Sequence, residues 1–160
     1  MKNNQRFEFY VSQYKDMLYK LAYAYLKSEA DSNDVIQNVF LNFYKTKKEF
    51  ESEEHMKYFL VRCTINECKK VWRAPWSRLV SFEEASAENA EESNIDLDLL
   101  NSIMALDRNY RLVIVLFYIE GYRINEIARI LNVPVGTVGS RLSKAKEKLK
   151  KDLKGEIANE

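Results

Sequence analysis

The sequence predicts an all-α protein: two small helical domains joined by an acidic flexible linker, the C-terminal one a helix-turn-helix. Three observations predict it. The 160 residues hold only four Gly and two Pro, and no run alternates β-branched and polar residues as a half-buried strand does. Apolar residues recur instead at i, i+3, i+4 and i+7, the spacing of one helix face. Between two such regions lies VSFEEASAENAEESN, residues 80–94, rich in Glu, Ser, Ala and Asn and poor in large apolar side chains, as an exposed connector is. The expected division is 1–78, linker 79–96, and 97–160.

A first helix is expected over Phe7–Lys27, with Tyr14, Leu18, Leu21, Ala22 and Tyr25 along one side. Asp31 or Ser32 can cap a second, Asn33–Lys45, whose stripe is Val35, Val39 and Phe43, because a short polar oxygen there satisfies an orphan amide. A third spans Glu54–Trp72. Beyond the linker, Ile95–Leu106 turns Leu99, Leu100, Ile103 and Leu106 inward. Asp107 then caps Tyr110–Ile119, and Gly121 stands where a helix end takes a left-handed residue.

In GYRINEIARILNVPVGTVGSRLSKAKEKL, residues 121–149, Ile124, Ile127, Ala128 and Leu131 form one stripe. Pro134 removes an amide donor and pushes Val133 out of helical geometry. A new helix starts near Val135 with Val138, Leu142, Ala145 and Leu149 inward. Its other face presents Thr137, Ser140, Arg141, Lys144 and Lys148. Short polar side chains let such a helix approach a groove, while Arg and Lys reach base edges and phosphates, so the pair is expected to read promoter DNA.

Net charge is only +1, but its distribution is uneven. Residues 1–78 hold 14 basic and 10 acidic side chains, 79–107 hold none and 8, and 108–160 hold 11 and 6. Two basic bodies thus flank an acidic segment. In the first, Lys57, Arg62, Lys69, Lys70, Arg73 and Arg78 alternate with Tyr58, Phe59, Trp72 and Trp76. Rings among cations suit single-stranded DNA, since bases stack while charges follow the phosphates. Phe59 and Ile65 are expected in the core; Trp72 and Trp76 can be buried or exposed.

Other functions find little support. Cys63 and Cys68 are separated by about 140° on a helix and have no companions that would complete a metal site, so two buried or half-buried thiols are expected. His55, the one histidine, has no partner at a catalytic spacing, and no Gly-rich phosphate loop occurs. Neither an enzyme nor a cofactor is expected. The longest apolar run, Leu112–Ile119, is far too short to cross a membrane, and the N-terminus is too polar for a secretory signal. A cytoplasmic protein with no membrane insertion follows.

ADSNDVIQNVFLNFYK and INEIARILNVPVGTVGSRLSKAKEKL together resemble the extracytoplasmic-function (ECF) type of bacterial RNA polymerase sigma factor, over residues 8–153. The resemblance implies a non-enzymatic initiation subunit that binds core RNA polymerase, recognises −35 and −10 promoter elements and aids melting. It assigns Asp31, Asp34, Gln37 and Phe40 to core polymerase, and Arg62, Asn66, Lys69, Lys70, Trp72 and Arg73 to the −10 element. Thr137, Ser140, Arg141, Lys144 and Lys148 go to the −35 element. It also implies an anti-sigma partner, and a linker that threads towards the polymerase active site.

Three positions depart from the family pattern. Lys70 stands where Asp or Asn is usual. Arg123 replaces a capping Ser or Thr, so no capping box with Glu126 is expected. Gly139 replaces a cation and lowers helix propensity by about 1 kcal/mol. The alternative is a stand-alone helix-turn-helix regulator binding operators as a dimer. It leaves the basic–aromatic stretch and the Asp31-x-x-Asp34-x-x-Gln37 pattern unexplained.

Overall fold

The computed structural model describes residues 2–73 and 97–158, with side chains at 4–73 and 97–153. The acidic linker, Trp76 and Arg78 lie outside the described residues. These form two compact units, all helical, as the sequence predicts.

In the first unit, α1 (Lys2–Leu26), α2 (Glu29–Lys45) and α3 (Glu53–Arg73) pack mutually. Leu18, Leu21, Val35, Val39, Leu60, Val61 and Ile65 are each at most 1% exposed. Burying such a side chain contributes about 1.5–3 kcal/mol. Ala22 and Ala24 are buried as well, and their small size lets the neighbouring helices approach. The Tyr14 hydroxyl donates to Glu53 Oε1 at 2.7 Å, tying the middle of α1 to the first turn of α3. Burial, helped by that carboxylate, pushes the Tyr14 phenol up to about 12.

The expected cap of α2 is corrected. Ser28, in extended geometry, is the N-cap and accepts from the Asp31 amide at 3.2 Å. Asp31 therefore lies inside the first turn, and Ser32 is fully buried. Lys27, at φ 53, makes the reversal between α1 and α2 in a left-handed conformation, unusual for a residue with a Cβ.

The second unit contains α4 (Leu97–Ala105), α5 (Arg108–Ile114), a π-helical turn at Val115–Ile119, α6 (Ile124–Leu131) and α7 (Val135–Ala158). Val113, Ile114, Leu116, Ile127, Ile130, Val138 and Ala145 fill its core. Asp107 occupies the N-cap of α5, yet its side chain caps nothing. Its carbonyl accepts from Tyr110 and Arg111 instead. The π turn replaces the α-helix expected to Ile119 and keeps Val115 and Leu116 buried while Tyr118 and Ile119 are exposed. Gly121 follows at φ 76, the left-handed position predicted for it. Helix α7 continues past Leu149 to Ala158.

Arg111 is a buried cation, 4% exposed. Its guanidinium donates to the Leu106 carbonyl at 3.0 Å and the Met104 carbonyl at 3.4 Å. These are free carbonyls at the C-terminal end of α4, where a positive charge also meets the negative end of the helix dipole.

Candidate nucleic-acid interface

The α6–α7 turn is built by its backbone. Asn132 ends α6 at φ 57, and the Val133 amide donates to the Ala128 carbonyl at 3.0 Å. Pro134 sits just before α7, and its carbonyl accepts from Thr137 and Val138. At that position a missing amide costs nothing. At the start of α6, the Glu126 carboxylate accepts from the Arg123 amide at 3.0 Å, while Asn125 Oδ1 accepts from the Glu126 amide. Half of the capping box expected to be absent is thus present. An arginine side chain, having no acceptor, cannot supply the other half.

Val138, Leu142 and Ala145 hold α7 against its unit. Thr137, Arg141, Lys144 and Lys148 then fall within an arc of about 60° on the outer side. Ser140 stands at its edge. Ser140, Lys144 and Lys148 are exposed; Thr137 and Arg141 are half-buried. An open cleft of about 510 Å³ joins Thr137, Ser140, Arg141 and Lys144 to Asp107, Asn109 and Tyr110 at the start of α5. Lys148 Nζ lies 4.6 Å from the centre of the Tyr110 ring, and Lys146 Nζ 5.5 Å from that of Tyr118. Nothing in the sequence pattern paired these residues. Gly139 has open space where a Cβ would stand.

On α3, Arg62, Asn66, Lys69 and Arg73 share an arc of about 60°. Arg62, Asn66 and Arg73 are exposed and Lys69 is half-buried. Burial pulls the Lys69 ammonium below its ordinary value, and the neighbouring charges of Arg73 and Arg62 pull it further. Lys70 and Trp72 lie about 80° to either side of that stripe. Lys70 Nζ is 3.1 Å from Glu67 Oε1, and Trp72 is 42% exposed. Phe59, expected in the core, is half-buried, with Phe50 and the Lys48 ammonium against its ring. Ile65 is fully buried, as expected.

On α2, Asp34 and Gln37 are exposed, Asp31 is half-buried, and Phe40 is 7% exposed. Phe40 therefore braces the helix from within. The exposed apolar side chains beside Asp34 and Gln37 are Leu41 and Tyr44, at 50% and 57%. Asp34, Gln37, Leu41 and Tyr44 repeat at i, i+3, i+7 and i+10, a polar-to-apolar stripe that sequence reasoning missed. Its signal was there in the spacing, hidden because aromatic residues in this segment read first as core.

Cys63, half-buried, and Cys68, buried, are not joined in a disulfide. Burial pushes the Cys63 thiol up, and Glu67 adds to this, so the reactive thiolate is disfavoured. Among the described residues no group of three or more His, Cys, Asp or Glu side chains could hold a metal, and no helix is long and apolar enough to cross a membrane.

Comparison with known proteins gives a consistent result. Residues 10–78 match the family model for Sigma-70 region 2, and residues 96–149 that for Sigma-70, region 4. The ECF RNA polymerase sigma factor SigW of Bacillus subtilis is 31% identical, covering 90% of this chain and 87% of that protein. The ECF RNA polymerase sigma-E factor of Escherichia coli K12 is 28% identical, over 91% and 86%. Among solved structures, the sigma factor RpoE from Bartonella quintana, in complex with the anti-sigma factor NepR, shares the fold. Its TM-score is 0.74 at 22% identity, over 94% of this chain and 98% of that one. CnrH, in complex with the cytosolic domain of CnrY, gives a TM-score of 0.65 at 25% identity, over 95% and 90%.

Proposed function

Since this chain belongs to the ECF RNA polymerase sigma factors, we propose that each of its DNA-facing stripes serves one promoter element. The protein directs transcription initiation at specific promoters as a subunit of RNA polymerase. Under this reading it catalyses no reaction; the polymerase does. Residues 1–78 carry core and −10 binding, 79–96 connect, and 97–160 carry −35 binding.

One observation carries the site assignment: the outward arc of Thr137, Arg141, Lys144 and Lys148, beside the small Ser140, on a helix presented by a helix-turn-helix. Side chains near the start of such a helix reach base edges in the major groove. Thr137, Ser140, Arg141 and Lys144 are the −35 readers, and Lys148 follows the backbone. Arg62, Asn66, Lys69 and Arg73 hold the −10 strand, with Trp72 as a stacking platform at the side and Lys70 moderated by Glu67. The Lys69 ammonium, lowered first by burial and then by the charges of Arg73 and Arg62, supports this, because a phosphate would offset the crowding of those cations. Asp31, Asp34 and Gln37 meet core polymerase, and Phe40 supports them from below. An anti-sigma protein is the regulatory partner, in line with the complexes of RpoE and CnrH. The cytoplasm, where polymerase works, is the location.

The test is transcription in vitro from a promoter library, with core polymerase in the presence and absence of this protein. Initiation at a defined set of promoters only in its presence is expected. Tight operator binding that core polymerase does not change would overturn the reading in favour of a stand-alone regulator.

A further inference from the structure

Lys148 is the last cation of the α7 stripe. It stands eleven residues beyond Thr137, about 16 Å along the axis. The major groove is about 12 Å wide, so a helix with Thr137 and Arg141 among the bases brings Lys148 to the phosphates at the groove edge. A free lysine there would lose much rotamer freedom on binding. This one is already placed, because its ammonium lies 4.6 Å from the Tyr110 ring centre. The ring belongs to α5, a different helix, and also lines the cleft shared with Thr137, Arg141 and Lys144. Tyr110 is half-buried, so its position is fixed by packing while one part of it remains at the surface. A cation over an aromatic face keeps its charge and N–H donors available.

We propose that Tyr110 is a positioning residue, which holds the Lys148 ammonium ready for a DNA phosphate at the edge of the −35 groove. The inference rests on the reading of α7 as the −35 helix. Asp107 lines both the cleft and the neighbouring hollow that contains Lys148 and Asp152. The ring gives the ammonium a resting place that is not an anion, so no ion pair must be broken when the phosphate arrives.

The test is a double-mutant cycle in the polymerase holoenzyme, on the promoter fragment most strongly used from the library. Tyr110→Leu is expected to weaken the promoter complex about two- to fivefold, and Tyr110→Phe, which keeps the ring, to restore it. Lys148→Gln is expected to lower the slope of log affinity against log salt by about one. In the Lys148→Gln background, Tyr110→Leu should have no further effect. An equal loss with and without Lys148, or a loss in Tyr110→Phe matching that in Tyr110→Leu, overturns the proposal. Should Tyr110→Leu unfold the domain, the free wild-type chain still decides by NMR. The Lys148 ε-methylene protons should show an upfield ring-current shift, and its absence overturns the stacking. Arg141→Ala and Lys144→Ala separate the two failures: if they abolish −35 preference while the cycle shows no coupling, only the role of Tyr110 is lost.

Discussion

On α3, Arg62, Lys69 and Arg73 crowd one another along a single stripe, and burial first, then the two guanidinium charges, hold the Lys69 ammonium below its ordinary value. On α7, Lys146 and Lys148 instead lie over the rings of Tyr118 and Tyr110. Two cationic helices of similar composition therefore store charge differently. Crowding makes the free surface costly and the phosphate-bound one favourable, whereas stacking orders the cations without raising their cost. The first arrangement suits a strand that must be captured as it melts, when every base freed has to be offset by new contacts. The second suits docking on an intact duplex whose shape is known in advance.

The sharpest way to break this contrast is charge reversal on the crowded stripe. Lys69→Glu replaces the repulsion from Arg62 and Arg73 with attraction inside α3, and circular dichroism of the free protein checks that the helix is retained. Promoter opening should fall by about tenfold or more, because a charged hydrogen bond is worth about 1.5–3 kcal/mol and a repulsion replaces it. Permanganate footprinting of the −10 region reads the melted bases. Normal opening by Lys69→Glu would place the −10 strand elsewhere. On α7 the matching change is Arg141→Ala. A lost base contact costs about 1–3 kcal/mol, so preference for the natural −35 sequence should drop about tenfold, measured by competition between promoters with intact and scrambled −35 elements.

The contrast was only partly visible beforehand. Both cationic stripes could be drawn from residue spacing, as could the buried sets Leu18, Leu21, Val35 and Val39 in one unit and Ile127, Val138, Leu142 and Ala145 in the other. Spacing on one helix says which residues share its face. It says nothing about what another helix brings to that face, so the Tyr110 ring under Lys148 and the Arg111 guanidinium on the α4 carbonyls were beyond it. Capping failed for a related reason. The run Ser28-Glu-Ala-Asp-Ser-Asn offers several competent oxygens, and the one used, Ser28, directly follows Lys27 in its left-handed conformation. Phe40 and Tyr44 show the same limit in reverse, four residues apart on α2 yet one buried and the other 57% exposed.

A smaller effect sharpens the comparison within the first unit, where a phenol–carboxylate hydrogen bond supports the charged helix. Tyr14 donates to Glu53 at the head of α3, and its phenol is pushed up from about 10 to about 12. A phenol that ionises later in the folded chain contributes stability that is complete below pH 10 and is lost as the pH rises through 12. Resistance to urea should therefore fall over that window. Tyr14→Phe should flatten this part of the profile and leave Lys69-dependent opening at neutral pH nearly unchanged. An unaltered alkaline slope would remove Tyr14 as its source.

The smallest expected change tests whether α7 carries less charge than its fold allows. A Cβ at Gly139 would meet nothing within 4 Å, so no packing demand calls for glycine there. Gly139→Ala should stabilise the helix by up to about 1 kcal/mol, since glycine lowers helix propensity by that amount, and thermal unfolding reads the gain. Gly139→Lys should add most of that gain without another phosphate contact, because position 139 lies about 170° around α7 from the middle of the reading arc. The salt slope of promoter binding should then stay unchanged, and a slope steeper by about one would place position 139 on the duplex. Stabilisation without a steeper slope would mean that position 139 faces away from the duplex. The arc of Thr137, Arg141 and Lys144 would then read the groove alone, and glycine there would be a matter of helix stability and not of grip.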